Sequence, residues 1–186
     1  ELLVVDGHSE DDSWALAVSA GAKCILDNGK GKGDALRCAI SHISKDVVVF
    51  IDGDGSHDPR DIPSLVTPIL NGQADHVTGS RLVGGSSELH GGFDEFLRLA
   101  GSSFITACIN TRFRVRLSDS QNGFRAIRSE VLRQLKLQEN TTTIEQEMIM
   151  KTLKLGFSMA EVPTHEYPRR FGCSNIRVGR VWPSYG

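Results

Sequence analysis

The residues best suited to chemistry stand where an apolar run ends in acids: Val47-Val48-Val49-Phe50-Ile51-Asp52-Gly53-Asp54-Gly55-Ser56-His57-Asp58-Pro59. The apolar stretch predicts a buried strand, and two carboxylates stand at its carboxyl end. Residues two apart on an extended backbone point the same way, so Asp52 and Asp54 are expected to converge on one cation. Gly53 between them leaves room for a ligand to approach. Oxygen ligands of this kind favour Mg²⁺ or Mn²⁺, which in turn bridge diphosphate oxygens. An isolated Asp-x-Asp is more often a plain polar turn. The strand before it and the cations elsewhere in the chain argue for the metal.

Those cations have phosphate-binding character. Gly31-Lys32-Gly33 sets an ammonium and an approachable backbone at the start of a helical pattern, where the helix dipole favours an anion; Lys30 reads as solvated. Arg81 closes another short apolar run, and its planar fork suits a phosphate as well as it suits a surface ion pair. His57 beside the acids reads first as a surface residue.

These groups need a scaffold that brings distant segments together. Short apolar runs at 2–5, 23–26, 47–51 and 76–78, bounded by Gly, Asp or Asn, predict strands. Helical patterns lie between them at 12–20, at 32–43 with Ala35, Leu36, Ala39, Ile40 and Ile43 on one face, and at 59–70 behind Pro59. The alternation predicts a doubly wound α/β fold, a Rossmann-like and mostly parallel sheet with helices on both faces. Ligands in such sheets gather beyond the carboxyl ends of the strands. The chain opens on Glu1-Leu2-Leu3-Val4-Val5-Asp6, as if in mid-sheet, which predicts a further strand and loop upstream.

After the sheet-forming half, 83–92 is rich in Gly and Ser and predicts a mobile loop. A helical stripe of Phe93, Phe96, Leu97, Ala100, Phe104, Ala107 and Cys108 follows. A further helix is expected from about 144 to 155, stopped by Gly156, with a strand near 157–162.

The chain of 186 residues is one domain long. Its 21 Lys and Arg nearly balance 23 Asp and Glu, which excludes wholesale nucleic-acid binding. The sequence holds neither an apolar run long enough to cross a bilayer nor an opening signal peptide, so this piece reads as soluble or peripheral. Cys24, Cys38, Cys108 and Cys173 form no CxxC pair and read as reduced core residues of a cytosolic protein.

Taken in order, the segments resemble a known family. Glu1-Leu2-Leu3-Val4-Val5-Asp6 with Ser9 and Asp11, Gly31-Lys32-Gly33-Asp34-Ala35-Leu36-Arg37, Asp52-Gly53-Asp54, Gly79-Ser80-Arg81 and Asp119-Ser120-Gln121-Asn122-Gly123-Phe124-Arg125-Ala126 resemble the dolichyl- or polyprenyl-phosphate mannose and glucose synthase branch of the family 2 glycosyltransferases. The resemblance implies a GT-A fold, a nucleotide-diphosphate sugar donor such as GDP-mannose or UDP-glucose, and Mg²⁺ or Mn²⁺. It divides a single catalytic domain, 1–186, into a nucleotide-sugar half, 1–82, and an acceptor half, 83–186. It places Asp6 at the nucleoside end, with Lys32, Gly33, Asp52 and Gly53 along the donor. Asp52 and Asp54 take the metal, and Asp54, Arg81, Asp119 and Gln121 lie at the reacting centre. Arg125, with Arg169, Arg170 and Ser174 of an Arg-x-x-Gly-x-Ser-like tail, falls on the acceptor side. Of Glu145 and Glu147, whose helical spacing lets at most one reach the site, Glu147 is the expected contact.

Departures from the family pattern are plain. Gly7 and His8 replace a second acid after Asp6, and Ser56 stands where a Gln is common.

The implied reaction is an inverting hexosyl transfer to a polyprenyl or dolichyl phosphate, in the cytoplasm or at the cytoplasmic face of a membrane. A hydroxyl acceptor would instead ask Asp119 to serve as base. The Asp119–Ala126 motif argues against a nucleotidyltransferase, and the absence of a Gln-x-x-Arg-Trp motif argues against a processive polysaccharide synthase. An inactive nucleotide-sugar-binding module is the non-enzymatic alternative.

Overall fold

The computed structural model describes residues 1–87 and 93–170, with backbone alone for 93–99. In chain order the elements are β1 (Leu3–Asp6), α1 (Ser13–Ser19), β2 (Lys23–Leu26), α2 (Lys32–Ile40), β3 (Val47–Phe50), a 3-10 turn (Pro59–Asp61) leading into α3 (Ile62–Leu70), β4 (His76–Ser80), the short α4 (Arg81–Gly84), α5 (Phe93–Phe113), β5 (Arg125–Arg128), α6 (Ser129–Gln134), α7 (Ile144–Lys154) and β6 (Met159–Pro163). The predicted strands and helices recur with ends shifted by a few residues. Asp58 caps the turn at Pro59 by accepting from Arg60 N at 2.9 Å. Gly156, at φ 84°, follows α7 where a left-handed residue is wanted.

β1 and β2 pair in parallel, and the larger sheet has the order β3-β5-β4-β6. In that larger sheet β3, β4 and β6 run one way, while β5, inserted between β3 and β4, runs against both. The α/β architecture with helices on both faces holds, and its antiparallel member, β5, is a strand that the apolar runs of the sequence do not predict.

Alternation along β5 explains how two cores share one sheet. Ala126, with Phe124 before it, joins Leu65 and Ile69 of α3 on one face. Ile127 joins Leu132 of α6 and Ile144 and Met148 of α7 on the other, where Leu36 and Ile40 of α2 also pack. A third cluster sets Ile109 of α5 and Leu117 against Ile149 of α7.

The expected α5 stripe points the other way. Ala100, Phe104, Ala107 and Cys108 are exposed, whereas Thr106 and Ile109 are buried, because α5 turns that second face toward Ser120, Leu117 and α7. Side chains of Phe93, Phe96 and Leu97 lie outside the described residues. Cys24 and Cys38 are half-buried and free, and Cys108 is free but exposed, against the core placement expected for it; Cys173 lies outside the described residues.

Candidate active site

The carboxyl ends of β3, β4 and β6 and the amino end of β5 meet at one edge of the larger sheet. Residues 51–57, 81–87, 118–124 and 164–170 all issue there.

The chain leaves β3 at Phe50 and turns at 53–55, with Gly55 at φ 76°. Asp54 therefore sits on the turn and Asp52 just before it, where the alternation of an extended strand does not carry through. Each carboxylate instead has its own cation.

Lys32 Nζ lies 2.8 Å from Oδ1 and 2.9 Å from Oδ2 of Asp52, and 2.8 Å from Oε1 of Glu145. Burial alone would weaken the ammonium, but Glu145 and Asp52 outweigh it and raise its pKa above the ordinary lysine value. The second oxygen of Glu145, Oε2, is buried without a hydrogen-bond partner among the described residues. Gly123 makes the cluster possible: a Cβ there would stand 2.7 Å from Lys32 Nζ and 3.0 Å from Asp52 Oδ2.

Asp54 accepts from Ser56 N at 3.0 Å through Oδ1 and faces Arg169 Nε at 3.4 Å through Oδ2. Burial opposes its charge, yet the hydrogen bonds from Ser56 and the Arg169 guanidinium hold its pKa below the usual carboxylate value.

Among the described residues no three His, Cys, Asp or Glu side chains form a metal-binding group. The chain thus offers the two carboxylates, with side-chain exposures of 38% and 20%. Carboxylate oxygens are ligands of the kind that Mg²⁺ and Mn²⁺ take, beside the waters or phosphate oxygens those ions keep. The His57 ring is buried against Phe124, centroids 5.0 Å apart, rather than lying on the surface, and burial depresses its pKa.

Arg81 and Asp119, expected at the reacting centre, are brought together as partners of each other. Arg81 Nε and Nη2 reach Oδ2 and Oδ1 of Asp119 at 2.7 and 3.1 Å, and Nη1 reaches Glu166 at 3.3 Å. Burial opposes the carboxylate of Asp119, but the hydrogen bonds and charge of Arg81 keep its pKa depressed, which leaves it a weak base. Arg81 is raised further above its ordinary pKa by Asp119 and Glu166, which take bonds from all three of its guanidinium nitrogens. Glu161 fixes this turn from below by accepting from the amides of Ser118 and Asp119 at 3.0 and 2.9 Å. Gln121 donates its backbone N–H to Asp119, and its side chain is half-buried.

Several expected contacts are elsewhere. Arg125 does not reach an acceptor surface: it is 1% exposed and donates to the carbonyls of Asn122 and Glu145, because its place on β5 points it at α7. Burial lowers its pKa. Gly33 gives its N–H to Asn140 O at 2.9 Å, and the carbonyl of Glu139 fills its Cβ space, so this amide serves packing rather than a phosphate. Glu147 accepts from the amides of Gln138 and Glu139 at 3.0 Å and pairs with Lys151, so it is Glu145 that enters the site.

Asp6, at the end of β1, accepts from Ser9 Oγ at 2.5 Å, with Asp27 at the end of β2 beside it. The surroundings of Gly53 are open. Arg170 is exposed and donates its N–H to Asp54 O at 2.9 Å. Ser174 lies outside the described residues.

An α/β domain of GT-A type with an acidic loop at its carboxyl edge is the class that fold and site together define. Residues 1–136 match the family model described as Glycosyl transferase family 2, and the chain belongs to that family. It is 33% identical over 172 residues to glycosyltransferase AglJ of Haloferax volcanii, covering 92% of this chain and 55% of that protein. A dolichyl-phosphate hexose transferase of the same organism is 29% identical over 167 residues, 88% of this chain and 68% of that one.

Among solved structures, glucosyl-3-phosphoglycerate synthase from Mycobacterium tuberculosis, in complex with Mn²⁺, UDP-glucose and phosphoglyceric acid, superposes with a TM-score of 0.72 at 25% identity. The match covers 97% of this chain and 63% of that one. The chain thus spans 55% of the length of AglJ and 63% of that of this synthase. Among the described residues no helix is long and apolar enough to cross a membrane.

Proposed function

We propose that the chain is the catalytic part of an inverting hexosyltransferase that moves a sugar from a nucleotide diphosphate to a polyprenyl or dolichyl phosphate. The observation that carries the reading is the Lys32 ammonium set between Asp52 and Glu145 beside the Asp54 turn. Acid and cation alternate at the one edge where such folds bind ligands.

Asp52 and Asp54 would hold Mg²⁺ or Mn²⁺, which when bound neutralises charge on the departing nucleoside diphosphate. Lys32 turns its ammonium to the diphosphate, with Arg169 and Arg170 as further cations on its outer side. Glu145 holds the Lys32 ammonium from its buried side. Asp6 closes the nucleoside end, and Gly53 and Gln121 line the approach. The acceptor's phosphate oxygen attacks the anomeric carbon as the bond to the diphosphate breaks on the opposite face, so the configuration inverts.

An anionic acceptor needs no base, in keeping with an Asp119 already committed to Arg81. Likeness to a dolichyl-phosphate hexose transferase supports this acceptor class. A second reading, a small phosphorylated acceptor, is favoured by likeness to the synthase bound to phosphoglyceric acid. Under the first reading the lipid acceptor would bring the protein to a membrane face.

The test is nucleoside diphosphate release by the full-length protein with Mn²⁺, UDP-glucose or GDP-mannose, and either a polyprenyl phosphate or phosphoglycerate. Release with the lipid phosphate alone is expected, slowed about a hundredfold or more in Asp54→Asn. Release with phosphoglycerate alone selects the second reading, and release with neither sinks the enzyme reading.

A further inference from the structure

Segment 164–170 continues from β6 and is bonded along both sides. Toward the acidic turn, Tyr167 N donates to Ser56 O at 2.8 Å, Arg170 N donates to Asp54 O at 2.9 Å, and Glu166 forms an antiparallel bridge with His57. Toward the residues after α4, Ser87 N donates to Glu166 O at 2.8 Å and Glu166 N donates to Gly85 O at 3.1 Å. His165 adds ring contacts to Ser87 Oγ at 2.8 Å and Gly84 O at 3.2 Å.

Glycines mark where this strap presses. Thr164 backbone fills the Cβ space of Gly84, the His165 ring comes within 2.9 Å of that of Gly85, and Arg170 carbons come within 3.3 Å of that of Gly55. Glycines there let the three segments touch, so movement of one segment is passed on by contact as well as by hydrogen bond.

Glu166 stands at the crossing. It is 8% exposed, accepts from Ser86 Oγ at 2.7 Å, and takes the one arm of Arg81 that Asp119 does not. Its backbone meets the acidic turn on one side and residues 85–87 on the other, while its carboxylate ties Ser86 to the Arg81–Asp119 pair.

We propose that Glu166 is a positioning residue that couples occupancy of the Asp52–Asp54 turn to the order of residues 81–87, so that a bound donor diphosphate prepares the acceptor side. The proposal rests on the donor site assigned above. Coupling of this kind requires that a ligand on one segment change the free energy of ordering the other.

Hydrogen–deuterium exchange on the full-length protein tests it, comparing wild type with Glu166→Gln and the milder Ser86→Ala, each without ligand, with Mn²⁺ and UDP, and with Mn²⁺ and GDP. Thermal shift on the same samples reports whether the diphosphate binds. The expected result is a thermal shift in all three proteins with one of the two nucleotides. Exchange at 85–87 should slow several-fold on binding in wild type, with that slowing reduced about threefold or more in the variants.

A thermal shift without any change at 85–87 in wild type overturns the coupling and leaves the donor site standing. So does faster exchange in the variants by the same factor with and without ligand, the mark of a merely structural contact. Absence of any thermal shift with either nucleotide overturns the donor site and the coupling with it.

Discussion

Gly123 sits so close to Lys32 Nζ and Asp52 Oδ2 that a methyl group in its place would stand 2.7 and 3.0 Å from them. Both atoms are tips of side chains, so Gly123→Ala is accommodated by displacing them rather than the backbone. A melting temperature within a few degrees of wild type is expected, with Mn²⁺-dependent nucleoside diphosphate affinity reduced about tenfold or more, roughly 1.4 kcal/mol. Calorimetric titration checks it, and unchanged affinity would remove the Lys32–Asp52 pair from the donor site. The acids of this cluster were only partly legible beforehand. Asp52, Asp54 and Lys32 are announced by an apolar run and by flanking glycines. Glu145 is not, because choosing it over Glu147 depends on which side of α7 meets Gln138 and Glu139, a contact between segments that no local pattern encodes. Arg125 was misplaced for a related reason: its motif locates it near the site, but its neighbours on β5 decide that it points inward.

Among the elements, α2 shows how a site residue is held by packing some distance from the chemistry. Its first turn lies against residues 139–140, where Gly33 N and Asp34 N both donate to Asn140 O, at 2.9 and 3.4 Å. Arg37 of the same helix reaches the Asn140 side chain at 2.5 Å. A Cβ on Gly33 would collide with backbone at Glu139 and Asn140, which cannot swing aside as a side chain can. Gly33→Ala should therefore lower stability by about 1–3 kcal/mol, read as a lower urea midpoint at unchanged slope. An unaltered midpoint would mean that this end of α2 is loosely docked and that Lys32 is positioned by its ion pairs alone. The helices that carry an apolar stripe, α2, α3 and α7, were legible with ends shifted by a few residues. β5 was not: four residues with an arginine at each end and two buried faces show neither an apolar run nor polar alternation. The α5 stripe was legible as a helix but not in its facing, since Thr106 and Ile109 outcompete Phe104 for the neighbouring α7 and Ser120.

For the molecule as a whole, the insertion of β5 between β3 and β4 makes the fold depend on contacts between distant segments, and His76 lies at their meeting point. It is fully buried on β4, across from Ile127 of β5, with Nδ1 3.0 Å from Thr152 Oγ1 of α7. Burial, reinforced by the nearby Arg125 charge, pushes its pKa well below 6.5. The folded protein thus keeps this ring neutral, while the unfolded chain protonates it near its ordinary value. The sign follows: the unfolded state binds the extra proton, so stability is fully present above about pH 6.5 and is lost as pH falls toward the folded pKa. His57, also depressed by burial, acts in the same direction. Each such ring contributes a loss of at most about 1.4 kcal/mol per pH unit between its two pKa values. His76→Gln keeps a hydrogen-bonding partner for Thr152 but cannot titrate. Urea unfolding of wild type from pH 7.5 to 5 should show stability falling below pH 6.5, and the variant should lose part of that slope and retain the part due to His57. Parallel pH profiles for the two proteins would show that His76 is protonated in the folded state, which its closed surroundings on β4, β5 and α7 do not allow.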